Sequence, residues 1–142
     1  MMQKEENSIK AIIFDLGNVL IFFNHKRASS LIAKQLGISE KQVFDVLSGK
    51  KNNFVDFCEK SKSEERYWVL FTKILRVQKT NPKKLQALWN KIFWPNPVTL
   101  KFLPKLRQNY KLGLLSNTGV GHKNYLLKKY NLKSKFDTLT FS

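Results

Sequence analysis

The stretch that most constrains the fold is an apolar run near the N-terminus that ends in an acidic residue. Residues 9–21 read IKAIIFDLGNVLI, and four apolar residues, 11–14, directly precede Asp15. An uninterrupted apolar run rich in β-branched residues is typical of a strand covered on both faces in a parallel sheet. Gly17 and Asn18 follow and favour a tight turn. We therefore predict a buried strand with Asp15 at its carboxyl end, where α/β sheets bind ligands. A hairpin with a solvated aspartate at its corner is the alternative.

The next seventy residues have a helical pattern throughout. Capping signatures begin several segments, namely Ser39 with Gln42, Ser61 with Glu64, and Asn81 before Pro82. Apolar residues at helical spacing predict helices over residues 26–36, 39–47, 54–60, 64–77 and 82–93. The prolines of Trp94-Pro95-Asn96-Pro97 then predict a linker or hinge. The sequence thus predicts an all-helical insert over residues 24–94.

After this hinge the pattern alternates between helix and strand. Residues 98–110 are predicted to be helical despite Pro104, 112–115 to form a second strand, 122–130 a helix and 136–141 a third strand. Such alternation with short connections is typical of right-handed βαβ units. The predicted fold class is α/β, a Rossmann-like parallel sheet of about three strands, with residues 9–23 and 95–142 forming its core. Residues 1–8 are predicted to be a disordered leader.

Two short motifs resemble a known family. FDLGNVL at residues 14–20 resembles the first motif of the haloacid dehalogenase (HAD) superfamily, in which a strand ends in a nucleophilic aspartate. KLGLLSNTG at residues 111–119 is similar to the second motif, a strand that ends in Ser or Thr followed by Asn. The helical insert between the motifs resembles the family's cap. Gly17 stands where many members carry a second aspartate, as in a subgroup of sugar-phosphatase-type members.

The resemblance implies a chemistry for particular residues. It implies hydrolysis of phosphate monoesters in which Asp15 attacks phosphorus and forms an aspartyl-phosphate, which divides one hard step into two. It implies Mg²⁺, held by the Asp15 carboxylate and the Gly17 carbonyl, because a hard cation offsets the repulsion between two anions. Ser116 and Asn117 would bind the phosphate, and a helix-capping turn is their structural alternative. The implied partner is a small phosphorylated metabolite.

The charge of the chain raises a different function. A formal net charge of +16 on 142 residues would suit a nucleic-acid-binding module. Of the 26 basic residues, however, 22 are Lys and four are Arg, and they are spread along every segment instead of forming one stripe. Recognition of bases and phosphates favours Arg. We therefore expect non-specific attraction to polyanions, and rank nucleic-acid binding below the other hypotheses.

Other residues suggest no further chemistry. Cys58 is the single cysteine and is interpreted as a small core residue. His25 and His122 are interpreted as solvated surface residues. The polar N-terminus does not resemble a signal peptide, and no apolar run approaches the roughly 20 residues of a membrane span, so a cytoplasmic protein without a membrane partner is expected.

The family's third and fourth motifs find no counterpart, which leaves a second hypothesis open. They supply a cation for the phosphate and an acidic pair for the metal, and no acidic pair follows Asp137. The strand before Asp15 would then expose an apolar edge open to self-association. The alternative to an active hydrolase is therefore a catalytically inactive, C-terminally truncated fragment or interaction protein of the same fold.

Overall fold

The computed structural model describes residues 9–49, 53–78 and 80–142. The strands in this part of the chain are β1 (Ala11–Phe14), β2 (Ile21–Phe23), β3 (Phe93–Pro95), β4 (Lys111–Ser116) and β5 (Thr138–Phe141). The helices are α1 (Lys26–Leu36), α2 (Glu40–Leu47), α3 (Phe54–Lys60), α4 (Glu64–Leu75), α5 (Pro82–Trp89), α6 (Pro97–Leu106) and α7 (Val120–Lys129). Short 3₁₀ turns lie at Asn90–Ile92 and Leu132–Ser134. The predicted leader, residues 1–8, lies outside the described residues.

A parallel sheet of three strands forms the centre of the fold. Its order is β1-β4-β5, with Ile12 opposite Leu112 in the first pair and Leu114 opposite Leu139 in the second. Both crossovers run in the same direction across the sheet, so right-handed connections place α6 and α7 on one face. The predicted α/β class, with a parallel sheet and a helical insert after its first strand, is confirmed.

The prediction that both faces of the first strand are covered is wrong. β1 is an edge strand, and its side chains alternate between exposed and half-buried. Ile13 is 71% exposed, and Leu115 on the neighbouring strand is 50% exposed. An apolar run predicts burial on both faces of the strand. In the structure, α6 and α7 cover only the face of the sheet that lies opposite Ile13 and Leu115. One apolar face of the sheet is therefore uncovered by the described residues.

A second, two-stranded ribbon replaces the predicted linker. β2 pairs antiparallel with β3, with Phe22 opposite Trp94. Asn96 then donates from its side-chain amide to the Val19 carbonyl (2.9 Å), and its backbone N–H donates to the Leu20 carbonyl (2.9 Å). Proline is tolerated at the edge of such a ribbon and at the first position of the helix that follows. Residues 94–97 thus fix the connection to the core.

The helical insert follows its capping signals closely. Ser39 and Gln42 form the full capping box of α2, and the Asn81 side chain accepts the N–H of Lys83 at the start of α5 (2.9 Å). The signature at Ser61 is wrong, because α4 has its N-cap at Ser63, with no side-chain cap. α6 starts at Pro97 and continues through Pro104.

The described residues bury two hydrophobic clusters. One lies within the helical insert and is built on aromatic side chains, with Trp68 and Phe71 edge to face at 5.2 Å between ring centroids. The other lies between the sheet and its two helices, with Leu112, Leu114 and Leu126 at its centre. Phe93 packs against both clusters. The division into a core and a cap at residues 24–94 remains a prediction that this pattern accommodates.

Candidate active site

A cavity of about 790 Å³ lies between the carboxyl ends of β1 and β4 and the helical insert. All four residues predicted to form the site line it, namely Asp15, Gly17, Ser116 and Asn117. β1 and β4 are adjacent and parallel, so the residues that follow them meet at the same edge of the sheet. The structure therefore brings the predicted residues together around one space.

The turn after β1 holds Asp15 and Gly17 in place. An Asp15 carboxylate oxygen accepts the N–H of Leu16 (2.7 Å), while the rest of the side chain is exposed toward the cavity. The Leu16 carbonyl accepts the N–H groups of Leu20 and Ile21 (3.0 Å each), and Asn18 adopts a left-handed conformation with φ of 57°. The Gly17 carbonyl accepts no hydrogen bond from the described residues. The turn thus leaves one carboxylate oxygen and one carbonyl available.

The space beside Gly17 is taken by an aromatic ring. A Cβ at this position would lie 3.2 Å from the Phe23 ring, which is tighter than ordinary packing. Phe23 in turn packs edge-on to His25, with ring centroids 5.7 Å apart. A side chain at position 17 would have to displace this ring. The Phe23 ring therefore occupies the space that an acidic side chain at position 17 would need.

Ser116 and Asn117 end β4 under different constraints. Ser116 is 5% exposed, and its hydroxyl lies 2.8 Å from that of Thr118. The Asn117 side-chain carbonyl accepts the Ser142 hydroxyl (2.6 Å), and the Ser116 carbonyl accepts the Ser142 N–H (3.2 Å). The hydroxyl of Ser116 is therefore fixed at the cavity floor, while Asn117 is held from the side of β5.

The helical insert contacts the core directly at the N-terminus of α7. The Tyr67 hydroxyl accepts the N–H of Val120 (2.9 Å) and donates to the Ser61 carbonyl (3.2 Å). A Cβ at Gly119 would lie 2.5 Å from the Cys58 carbonyl oxygen. Glycine is needed here for this close approach. The start of α7 and the end of α3 thus form a packed junction between the core and the helical insert.

The prediction that both histidines are solvated is wrong. His122 packs against Trp89 with ring centroids 4.1 Å apart, and its Nδ1 donates to the Asn90 side-chain carbonyl (2.8 Å). Its Nε2 and the Nδ1 of His25 are buried without a hydrogen-bond partner among the described residues. Burial, with a smaller contribution from His25, lowers the pKa of His122 to about 3, and burial also lowers the pKa of His25. Both imidazoles are therefore neutral near neutral pH.

A second carboxylate, which the sequence did not single out, lines the same cavity. Glu59 lies on α3, one turn after Val55, and both face the cavity. Burial, followed by the charge of Asp56, raises the pKa of Glu59. Cys58 beside it is buried, and burial raises the pKa of its thiol, which agrees with a core role. The i, i+4 spacing of residues 55 and 59 indicates that they share one face of α3. The sequence does not indicate which face of α3 lies against the cavity.

The donor set fits a magnesium ion of the kind that keeps several waters. Mg²⁺ is usually held by one or two carboxylates with water and substrate phosphate completing the octahedron. The Asp15 carboxylate and the Gly17 carbonyl are hard oxygen donors of this kind. Within residues 9–49, 53–78 and 80–142, no group of three or more His, Cys, Asp or Glu side chains could enclose a metal by itself.

Asp137 is also acidic and near the sheet, but it lies at the amino ends of the strands, opposite the end that carries the cavity. Asp137 precedes β5, accepts the N–H of Leu112 (2.8 Å), and pairs with Arg107 (3.6 Å) and Lys111 (3.9 Å). The Leu112 N–H, with smaller contributions from the two cations, lowers the pKa of Asp137. Asp137 therefore stabilises the amino ends of the strands and is remote from the cavity.

Solved structures with this fold are HAD family enzymes. A HAD family enzyme of Bacteroides thetaiotaomicron, solved with magnesium and inorganic phosphate, is 23% identical over 93% of this chain and 68% of its own, with a TM-score of 0.74. The same enzyme solved with magnesium is 24% identical over 92% of this chain and 66% of its own (TM-score 0.73). A HAD-like family hydrolase of Porphyromonas gingivalis is 25% identical over 92% of this chain and 65% of its own (TM-score 0.70).

The similarity is one of structure more than of sequence. No protein-family model matches the chain, and no curated protein sequence matches it. The chain spans about two thirds of the length of the structures that it resembles, 66% in the first of them. It thus has the Rossmann-like fold of the HAD family enzymes. None of the helices in its described residues is long and apolar enough to cross a membrane.

Proposed function

We propose that this chain is a HAD-like phosphatase unit that hydrolyses phosphate monoesters through an aspartyl-phosphate on Asp15. The observation that carries the proposal is the shared cavity, in which Asp15 faces Ser116 and Asn117 across the ends of two adjacent parallel strands. The related structures contain magnesium and inorganic phosphate, which supports the same ligands here. The glycine at position 17 supports the further proposal that the chain is of the sugar-phosphatase type.

Each residue has a defined part in this reaction. An oxygen of Asp15 attacks phosphorus, the alcohol leaves, and water then cleaves the acyl-phosphate to restore the carboxylate. The Ser116 hydroxyl and the Asn117 side-chain amide would donate to the phosphate oxygens. Asp15 and the Gly17 carbonyl would hold Mg²⁺, which supplies positive charge for the transferring phosphoryl group.

The proposal predicts a sharp dependence on one carboxylate. In Asp15→Asn, which keeps the size of the side chain, phosphate release from a monoester in the presence of Mg²⁺ should fall by a factor of at least about 100, because the nucleophile is lost. Glu65→Gln, which alters an exposed carboxylate on α4, should retain wild-type release. Equal rates in Asp15→Asn and wild type would refute the role of Asp15.

The uncovered side of the sheet favours a second candidate function. Ile13 and Leu115 are 71% and 50% exposed, and β1 has no neighbouring strand on its outer edge among the described residues. Such an edge invites pairing with another chain. A catalytically inactive interaction protein that associates through this edge would show concentration-dependent assembly by analytical ultracentrifugation but no phosphate release. Non-specific polyanion binding would weaken steeply with salt.

A further inference from the structure

The charge of the cavity lining differs from that of the chain. The chain has 26 Lys and Arg residues against 10 Asp and Glu. Among the described residues that line the cavity, none is Lys or Arg, and two are acidic, Asp15 and Glu59. The two histidines of the lining are held neutral by burial, which lowers the pKa of each. The lining is therefore negative although the molecule as a whole is strongly positive.

Glu59 has no part in the proposed chemistry, and the favourable charge of the neighbouring Lys60 is outweighed by burial and by the charge of Asp56, so that its pKa is raised. It lies on the helical insert, on the face of α3 that also carries Val55. The described residues give its carboxylate neither a hydrogen bond nor an ion pair. A partly buried carboxylate whose pKa is raised by its surroundings is stabilised by a ligand that supplies a positive charge or a proton. Its surroundings point to a ligand that brings a cation.

Aromatic side chains line the same cavity as Glu59. Phe23 and Phe93 expose part of their rings, and the buried Trp89 also contributes to the lining. Aromatic faces attract ammonium groups, and this attraction adds to that of a nearby carboxylate. Among the described residues of this lining, no Lys or Arg is available to a second anionic group on a substrate.

We propose that the helical insert selects phosphate monoesters whose alcohol part carries an ammonium group, with Glu59 as the specificity-determining residue. Asp15 and Ser116 would face the phosphate end, while Glu59 on the helical insert would face the cationic end. A cavity of about 790 Å³ accommodates both ends of a small molecule. This inference rests on the proposed function, which assigns the phosphate end of the site. It adds the chemical class of the alcohol that the phosphate is attached to.

The test compares three monoesters of similar size in the presence of Mg²⁺. They are phosphocholine, with a quaternary ammonium group, glycerol 3-phosphate, with a neutral alcohol, and 3-phosphoglycerate, with a carboxylate. Affinity is measured for the full chain by tryptophan fluorescence, since Trp89 lines the cavity, and phosphate release is measured in parallel. Phosphocholine should bind roughly fivefold more tightly than glycerol 3-phosphate, the scale of a partly exposed ion pair, and 3-phosphoglycerate should bind most weakly.

Variants separate the role of Glu59 from general electrostatics. Glu59→Gln should reduce the preference for phosphocholine over glycerol 3-phosphate, while Glu65→Gln, which removes an exposed acidic charge from α4, should preserve the preference. Charge preference in binding without phosphate release would refute the proposed hydrolysis and support this inference. Phosphate release without charge preference would do the reverse. Equal affinity for all three esters, or a preference for 3-phosphoglycerate, would overturn the inference.

Discussion

Position 17 illustrates how one absent side chain shapes the site. The Phe23 ring lies 3.2 Å from where a Cβ would stand, so a larger residue needs that ring to move. Phe23 also belongs to β2, which the ribbon holds against β3. The sequence showed that an acid was missing here, but the ring that fills the space comes from a contact six residues away that no local pattern indicates.

His122 makes stability depend on pH. Its pKa is about 3 in the folded chain, well below the ordinary histidine value of 6.5. Between these values the unfolded chain binds a proton that the folded chain excludes, so the free energy of unfolding falls as pH is lowered through this window. The loss approaches roughly 1.4 kcal/mol per pH unit for one proton. Urea titrations between about pH 7 and about pH 5, above the range where most carboxylates titrate, would measure it.

His122→Gln is the matched variant for this prediction. Gln retains an amide donor for Asn90 but cannot take up the proton, so the fall in stability toward acid should be shallower than in the wild type. A smaller slope should remain, because burial also lowers the pKa of His25. Identical slopes in wild type and variant would show that the imidazole is not kept neutral by burial.

At the scale of single elements, the capping box of α2 should contribute measurably to stability. The Ser39 hydroxyl accepts the N–H of Gln42 (3.2 Å), and the Gln42 side chain accepts the N–H of Ser39 (3.2 Å). Ser39→Ala should lower the free energy of unfolding by about 1 kcal/mol. Ser63→Ala at the start of α4 should change it little, because that N-cap makes no side-chain hydrogen bond. Equal losses by urea denaturation would contradict this assignment.

Elements with local signals were predictable, and those that depend on distant partners were not. Residues 26–36 and 54–60 were predicted with the bounds that α1 and α3 have. Asn81 and Pro82 likewise marked the start of α5, because an N-cap and a first-turn proline act within one turn. β3 was missed because its strand character comes from pairing with β2, seventy residues earlier. The burial of β1 was overestimated for a similar reason. An apolar run does not indicate whether one or both faces of the strand pack against other elements.

At the scale of the whole molecule, close packing joins the helical insert to the core. A Cβ at Gly119 would meet the Cys58 carbonyl oxygen at 2.5 Å and its carbon at 3.0 Å, both backbone atoms of α3. The backbone of Gly119 has φ of −58°, which suits alanine, so the contact alone opposes substitution. Gly119→Ala should therefore lower stability by about 1–3 kcal/mol, the usual cost of overpacking.

Substitution of Gly37 is a control that separates the effect of a steric contact from the effect of backbone conformation. Gly37 has φ of +68° and open space around it, so Gly37→Ala should cost about 1 kcal/mol from backbone strain alone. Gly119→Ala should also weaken binding of phosphate esters, because the insert can no longer approach α7, whereas Gly37→Ala should leave binding unchanged. Thermal unfolding and tryptophan fluorescence titrations would measure the two effects. Unchanged binding in Gly119→Ala would indicate that this contact does not shape the cavity.

The candidate site divides in the same way between what the sequence indicates and what only the fold assembles. Asp15 was predicted from the apolar strand that precedes it, and Gly17, Ser116 and Asn117 from the resemblance of two motifs to a known family; the cavity brings all four together. Their chemical roles remain predictions. The burial of His122 depends on Asn90 and Trp89, which are distant in sequence. The orientation of Glu59 toward the cavity depends on how α3 packs against the core. Those contacts are set by tertiary packing, which local patterns do not encode.

The most direct test of the account is to identify the residue that becomes phosphorylated. The full chain is mixed with a phosphate monoester and Mg²⁺, quenched in acid, digested and analysed by mass spectrometry, with Asp15→Asn in parallel. We predict a phosphate adduct on the wild-type peptide that contains Asp15, removable by hydroxylamine as an acyl-phosphate should be, and none in Asp15→Asn. An adduct on another residue, or phosphate release at the wild-type rate from Asp15→Asn, would contradict the assignment of Asp15 as the nucleophile.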